Sequence, residues 1–157
     1  MKEALDKLTE KFGDAILEKS SFRGDETCVV KCEHLPDICR HIRDELGFDM
    51  LSDLCGADYP DRKERFEVVY HLYSVEKAKR LRLKVRVAEG ASVASVGGIW
   101  KAANWFEREA YDLFGIHFEG HPNLKRLLCH NEFEGHALRK DYPKNRRGVV
   151  PTPDTLV

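Results

Sequence analysis

The sequence predicts an α+β fold: a two-layer domain with helices on one face of a mixed β-sheet, followed by an extended C-terminal tail. Three observations predict it. Leu81, Leu83, Val85 and Val87 alternate strictly with Arg82, Lys84, Arg86 and Ala88, the period of a half-buried strand. Apolar residues recur at helical steps in three separate places. Beyond Ile116 the periodicity is lost, and prolines recur at 122, 143, 151 and 153. The resulting order is α-β-β-α-β-β-β-α and then the tail.

Leu5, Leu8 and Phe12 place a first helix over Met1 to Phe12, with Gly13 as its stop. Ala15 to Phe22 and Thr27 to Cys32 read as strands, and Arg23-Gly24-Asp25 between them supplies hairpin turn chemistry. Pro36 suits the first turn of a second helix because its missing N–H is not needed there. Ile38, His41, Ile42 and Leu46 continue that helix to Gly47. Met50 to Ala57 is a third strand and Asp58-Tyr59-Pro60-Asp61 a turn. Phe66, Val68, Tyr70 and Leu72 share one face of a fourth strand, and the alternating run at 81–88 is the fifth. Gly90 to Gly98 reads as a loop of small residues. A third helix is expected from near Ile99, with Ala103, Phe106, Ala110 and Phe114 in its core stripe and Gly115 at its end.

With 157 residues, 42% hydrophobic and 34% charged, the chain has the balance of one globular domain with a wet surface. Its formal net charge of −1 gives no global field to attract nucleic acid or an anionic membrane. Residues 121–157 carry seven Lys/Arg against four Asp/Glu, so the tail is basic and the body acidic. No run approaches the roughly 20 apolar residues of a spanning helix. The charged start lacks an apolar signal-peptide core, so a cytoplasmic location is expected. Five cysteines without paired spacing fit free thiols better than disulfides.

His117, His121, His130 and His136, with Cys129, crowd into twenty residues. Their spacing matches no zinc finger or helical histidine pair, and packing or interface roles suit them better than a metal. No iron–sulfur, dinucleotide or phosphate-loop pattern is present. Glu107, Glu109 and Asp112 could act as general acids or bases, but no nucleophile or second partner accompanies them. They lie among Trp105, Phe106, Tyr111, Leu113 and Phe114, and Arg108 and Asp112 are spaced to pair on the helix surface. Buried charge is costly without a partner, so this helix reads as an interface element whose ion partners lie on another subunit. The tail is apolar enough, through Leu124, Leu127, Leu128, Phe133, Leu138 and Tyr142, to need burial against another chain.

The run Asn104-Trp105-Phe106-Glu107-Arg108-Glu109-Ala110-Tyr111-Asp112-Leu113-Phe114-Gly115-Ile116 carries a family resemblance. So do Phe118-Glu119-Gly120-His121-Pro122, Leu124-Lys125-Arg126-Leu127-Leu128 and Gly135-His136-Ala137-Leu138-Arg139-Lys140-Asp141-Tyr142-Pro143. Upstream, 51–60 and 65–74 fit as well. Together they resemble the 30 kDa subunit family of respiratory complex I, the C-type subunit of bacterial NADH-quinone oxidoreductase. Ala137 departs from the proline common in that family.

The resemblance implies a non-catalytic peripheral-arm subunit without catalytic, cofactor-binding or metal residues of its own. FMN and iron–sulfur clusters would sit on partner subunits. The partners would be the 49 kDa-type subunit and neighbouring iron–sulfur subunits, at the cytoplasmic face of the bacterial inner membrane. Residues 1–116 would form the domain, with an interface helix near 99–114, and residues 117–157 the docking tail. The interface positions expected are Trp105, Glu107, Arg108, Glu109, Asp112, Phe114, His121, Pro122, Arg126, Arg139, Asp141 and Tyr142. Two rivals are an equivalent subunit of a membrane-bound nickel–iron hydrogenase or related oxidoreductase, and a free-standing metal hydrolase using the clustered histidines.

Overall fold

The computed structural model describes residues 2–145. Helix α1 (Lys2–Phe12) leads through a 3-10 turn into the hairpin β1 (Ile16–Phe22) and β2 (Asp25–Val30). Arg23 and Gly24 turn the hairpin with φ of 53° and 90°, the paired positive values that match strand twist in a two-residue loop. Helix α2 (Leu35–Asp44) has proline in its first turn, as expected. A meander follows: β3 (Met50–Asp58), β4 (Phe66–Ser74) and β5 (Lys79–Val87).

The five strands form one sheet in the order β1-β2-β5-β4-β3. All neighbours are antiparallel except β2 and β5, which run parallel from Glu26↔Leu81 to Val30↔Val85. The sheet is therefore mixed, and the α+β expectation holds. Alternation assigns its two faces. Leu81, Leu83, Val85 and Val87 join Phe66, Val68, Tyr70 and Leu72 in one core with Leu5 and Leu8 of α1 and Leu35, Ile38 and Ile42 of α2. Lys84, Arg86 and Arg82 on the opposite face reach Glu67 at 2.8 Å, Glu18 at 2.6 Å and Asp25 at 3.6 Å.

Two expectations need correction. The small-residue loop contains a short strand, β6 (Ser92–Ala94), which pairs in parallel with β7 (His117–Glu119) in the expected tail. The expected boundary at 116/117 therefore falls inside a β-α-β unit. Its helix, α3 (Ala103–Phe114), begins four residues after Ile99. Residues 96–102 turn instead, with the Trp100 and Ile99 amides both donating to the Val96 carbonyl. This swings Trp100 into the core, where its indole N–H donates to the Phe48 carbonyl at 3.2 Å. Helix α3 lies close over β3 because Gly56 leaves room for it. A Cβ on Gly56 would stand 2.7 Å from the Phe114 ring.

Candidate functional site

Helix α3 turns Ala103, Ala110 and Phe114 inward. Glu107, Arg108 and Asp112 find partners inside the chain rather than on another subunit, while Glu109 stays exposed. Glu107 has 0% of its surface exposed. Its carboxylate accepts from the Ser95 hydroxyl at 2.6 Å and the Val96 amide at 2.7 Å. Burial pushes its carboxyl pKa up, and the two donors oppose that shift. Glu107 thus fixes the turns before α3 and has no surface to offer a partner.

The His121 ring stands 3.9 Å from the same carboxylate, but its hydrogen bonds point elsewhere. The Asn123 amide donates to Nδ1 at 3.0 Å, so Nε2 carries the proton and donates to the Asn104 carbonyl at 3.0 Å. The histidine ties β7 to the start of α3.

Asp112 is also 0% exposed. Its Oδ2 accepts from the amides of Leu127, Leu128 and Cys129 at 3.0, 2.7 and 2.8 Å. Its Oδ1 accepts from Arg126 at 2.8 Å. Burial raises the Asp112 pKa, but the Cys129 amide, Arg126 and the Leu127 and Leu128 amides outweigh it and hold the value below the usual carboxylate range. The expected surface pair of Arg108 with Asp112 does not form. Arg108 donates instead to the carbonyls of Lys125 and Arg126, at 3.1 and 3.0 Å, and covers the Trp105 ring at 4.9 Å. Two opposite charges on α3 thus hold one loop, one by its amides and the other by its carbonyls.

The loop then returns to the end of α3. Leu138 N–H donates to the Leu113 carbonyl at 3.0 Å, His136 Nδ1 to that of Asp112 at 2.8 Å, and Arg139 Nε to that of Phe114 at 2.6 Å. These bonds satisfy carbonyls that a helix end leaves open. Gly115 makes the close approach possible. Its φ is +75°, and a Cβ there would lie 2.6 Å from both Arg139 and His136. Gly115→Ala is expected to lower stability by roughly 1–3 kcal/mol through the left-handed backbone alone. It should also speed amide exchange at Leu138. Unchanged exchange there would contradict this account of the helix end.

A second anchor was not foreseen from the sequence. Arg65 is 10% exposed at its side chain, grips the fully buried Asp58 carboxylate at 2.8 and 2.9 Å, and reaches Glu89 at 3.1 Å and Asp141 at 2.9 Å. Arg139 shares Glu89 at 2.9 Å, and the Lys140 amide donates to Asp58 at 2.7 Å. The signal was present: Asp58 closes β3, and its register partner Phe66 opens β4 directly after Arg65. Tyr142 stacks on Phe133, with ring centroids 5.8 Å apart.

Of the expected interface residues, Glu107, Asp112, Arg108 and Phe114 are buried in the chain, while Arg126, Arg139, Asp141 and Tyr142 are engaged within it. Trp105, Glu109 and Pro122 remain open to solvent. Trp105 is 59% exposed, and Leu128 and Leu138, on the segment bonded to α3, are 63% and 50% exposed. The four clustered histidines do not converge. His117 meets Ser92, His130 lies edge-on to Phe133, and His136 lies edge-on to Tyr111. Among the described residues no helix is long and apolar enough to cross a membrane.

Residues 28–148 match the family described as respiratory-chain NADH dehydrogenase, 30 Kd subunit. The chain is 45% identical over 141 residues to the C-type subunit of NADH-quinone oxidoreductase from Geotalea uraniireducens, covering 89% of this chain and 86% of that protein. It is 49% identical over 124 residues to the longer C/D-type subunit of NADH-quinone oxidoreductase from Bdellovibrio bacteriovorus, covering 79% of this chain and 22% of that protein. A chain in the structure of the membrane-bound sulfane sulfur reductase, an archaeal respiratory membrane complex, superposes with a TM-score of 0.75 at 25% identity, covering 92% of this chain and 86% of that one. The matched span contains all of α3 and the loop fastened to it, and on that footing the chain belongs to the respiratory-chain NADH dehydrogenase 30 kDa subunit family.

Proposed function

We propose that this chain acts as the 30 kDa subunit in the peripheral arm of an NADH-quinone oxidoreductase, holding electron-carrying neighbours in place without a redox centre of its own. FMN and iron–sulfur clusters belong to those neighbours. The subunit works at the cytoplasmic face of the membrane and associates with it through the complex. Its first partner is the 49 kDa-type subunit, the D-type component. One observation carries this choice: in the Bdellovibrio relative, the C-type and D-type components are one polypeptide. Proteins fused in one organism and separate in another are expected to meet in both.

The docking surface is the outer side of α3 with its fastened loop, where Trp105, Leu128 and Leu138 leave large apolar groups in water. Exposed aromatic residues of this kind anchor interfaces. Trp105→Ala with Leu128→Ser is expected to weaken capture of the 49 kDa-type subunit by at least about 2 kcal/mol, roughly thirty-fold in Kd. Circular dichroism should stay unchanged because both side chains stand outside the core. Capture at the wild-type level would sink this docking surface. Glu107→Ala would be a poor probe of docking, since it takes the acceptor from the Val96 amide and the Ser95 hydroxyl proton and so tests folding. The likeness to a chain of the sulfane sulfur reductase complex favours a second reading, in which the same scaffold serves an assembly with another electron donor. Identifying the flavin-bearing companion in the purified assembly decides between them.

A further inference from the structure

The outward face of the sheet carries a group of side chains that the fold leaves unused. Asp53 and Cys55 are two apart on β3, so both project from the face opposite Leu51 and Leu54. His71 on β4 is the register partner of Asp53. A ligand atom from each of the three lies within 4.8 Å of the other two. No hydrogen bond or ion pair engages any of the three side chains among the described residues. The cations nearby are committed elsewhere: Arg82 to Asp25 and Thr27, and Lys84 to Glu67. A cleft of about 460 Å³, lined in part by Asp53, His71, Tyr73 and Met50, opens beside the group.

We propose that Asp53, Cys55 and His71 form a binding site for a thiophilic divalent cation, with zinc the best match, clamped across β3 and β4. One sulfur, one imidazole nitrogen and one carboxylate oxygen are a zinc donor set, and three protein ligands leave a fourth position for water. Magnesium and calcium prefer oxygen alone. Bonds of about 2.0–2.3 Å place tetrahedral ligands roughly 3.3–3.8 Å apart, so the side chains close by about 1 Å on the ion. Asp53 and Cys55 are exposed and His71 is half-buried, which leaves rotamer freedom for that movement. The irregular register between Leu51 and Asp53 lets Leu51 and Leu54 share the core face, which leaves Asp53 and Cys55 on the outward one. Binding forms one metal–sulfur bond and releases the Cys55 proton to solvent; no electron moves. The ion would tie the edge strand β3 to its neighbour. The clustered histidines of the loop after β7 play no part in the site, and it lies on the sheet face opposite α3. The proposal therefore stands independently of the docking surface.

The test is titration of the full-length, tag-free chain with cobalt(II) as a spectroscopic stand-in, followed by displacement with zinc. One equivalent per chain, with a near-ultraviolet thiolate-to-cobalt band that zinc abolishes and magnesium does not, is the expected result. Cys55→Ser should remove the band. His71→Ala and Asp53→Asn should each weaken binding by at least about ten-fold. Cys129→Ser, in the histidine-rich segment, should leave both unchanged. These are outward-facing positions, and circular dichroism confirms folding of each variant. Absence of the band in the wild-type chain, its survival in Cys55→Ser, or its loss in Cys129→Ser would each overturn the proposal.

Discussion

Asp112→Ala is expected to lower unfolding stability by about 3–5 kcal/mol, the range for breaking a buried, hydrogen-bonded charge pair. The size follows from what the carboxylate holds. One oxygen accepts three successive amides, Leu127 to Cys129, and the other accepts Arg126. Without it, three donors and a guanidinium lose their acceptor while the Leu113 and Phe114 carbonyls still pull the loop inward. Urea denaturation should show the midpoint falling, and the melting temperature should drop by roughly 10 °C for a domain of this size. Asp112→Asn keeps the volume and one acceptor, so its cost should be smaller, about 1–3 kcal/mol.

The two substitutions also differ in acid. The native pKa of Asp112 lies below the ordinary 3.8. A depressed carboxylate stabilises the fold above its unfolded-state pKa, and that contribution is lost as pH falls through the native value. The wild-type chain should lose it below about pH 4, and Asp112→Asn should lack this component. A loss under about 1 kcal/mol for Asp112→Ala would show that the loop is held by other means.

Arg65→Ala should be the next most damaging change, at about 3 kcal/mol. It strands the fully buried Asp58, whose carboxyl Arg65 holds below its usual range despite burial. Glu89 and Asp141 are more than half exposed and add little. The readout is local as well as global: segment 139–142 loses its tie to the β3–β4 end, and its amides should exchange faster. Arg65→Lys keeps the charge but not the two-pronged grip, so it should recover only part of the loss. Replacing the pair together by Arg65→Met and Asp58→Leu should cost less than Arg65→Ala alone, because no unpaired ion remains buried. Equal losses for the single and double variants would contradict the ion-pair account.

The elements easiest to read in the sequence were those whose patterning is local. The alternation at 81–87 gave β5, and Leu5, Leu8 and Phe12 gave α1, because a single face period suffices for each. Strands β6 and β7 escaped because three residues carry no period, and each exists only through pairing with the other across α3. The start of α3 was misplaced for a similar reason. Ile99 and Ala102 fit the helical stripe, but Glu107 takes the Val96 amide and holds the preceding chain in turns. The buried carboxylate of Asp112 needs partners, and sequence spacing cannot say where they lie. Arg126 and the 127–129 amides, fourteen to seventeen residues away, supply them from the same chain. Exposed Trp105 and Leu128 were legible only as apolar residues, since exposure depends on the path of the loop.

The parallel seam between β2 and β5 sets the order in which the chain can assemble. The meander from Met50 to Val87 closes by short connections, whereas joining Val30 to Val85 requires a long excursion of chain to be confined first. The amino-terminal hairpin should therefore dock late, on a template already formed. Truncating Val30 should leave the refolding rate nearly untouched and accelerate unfolding, whereas truncating Val68 should do the reverse.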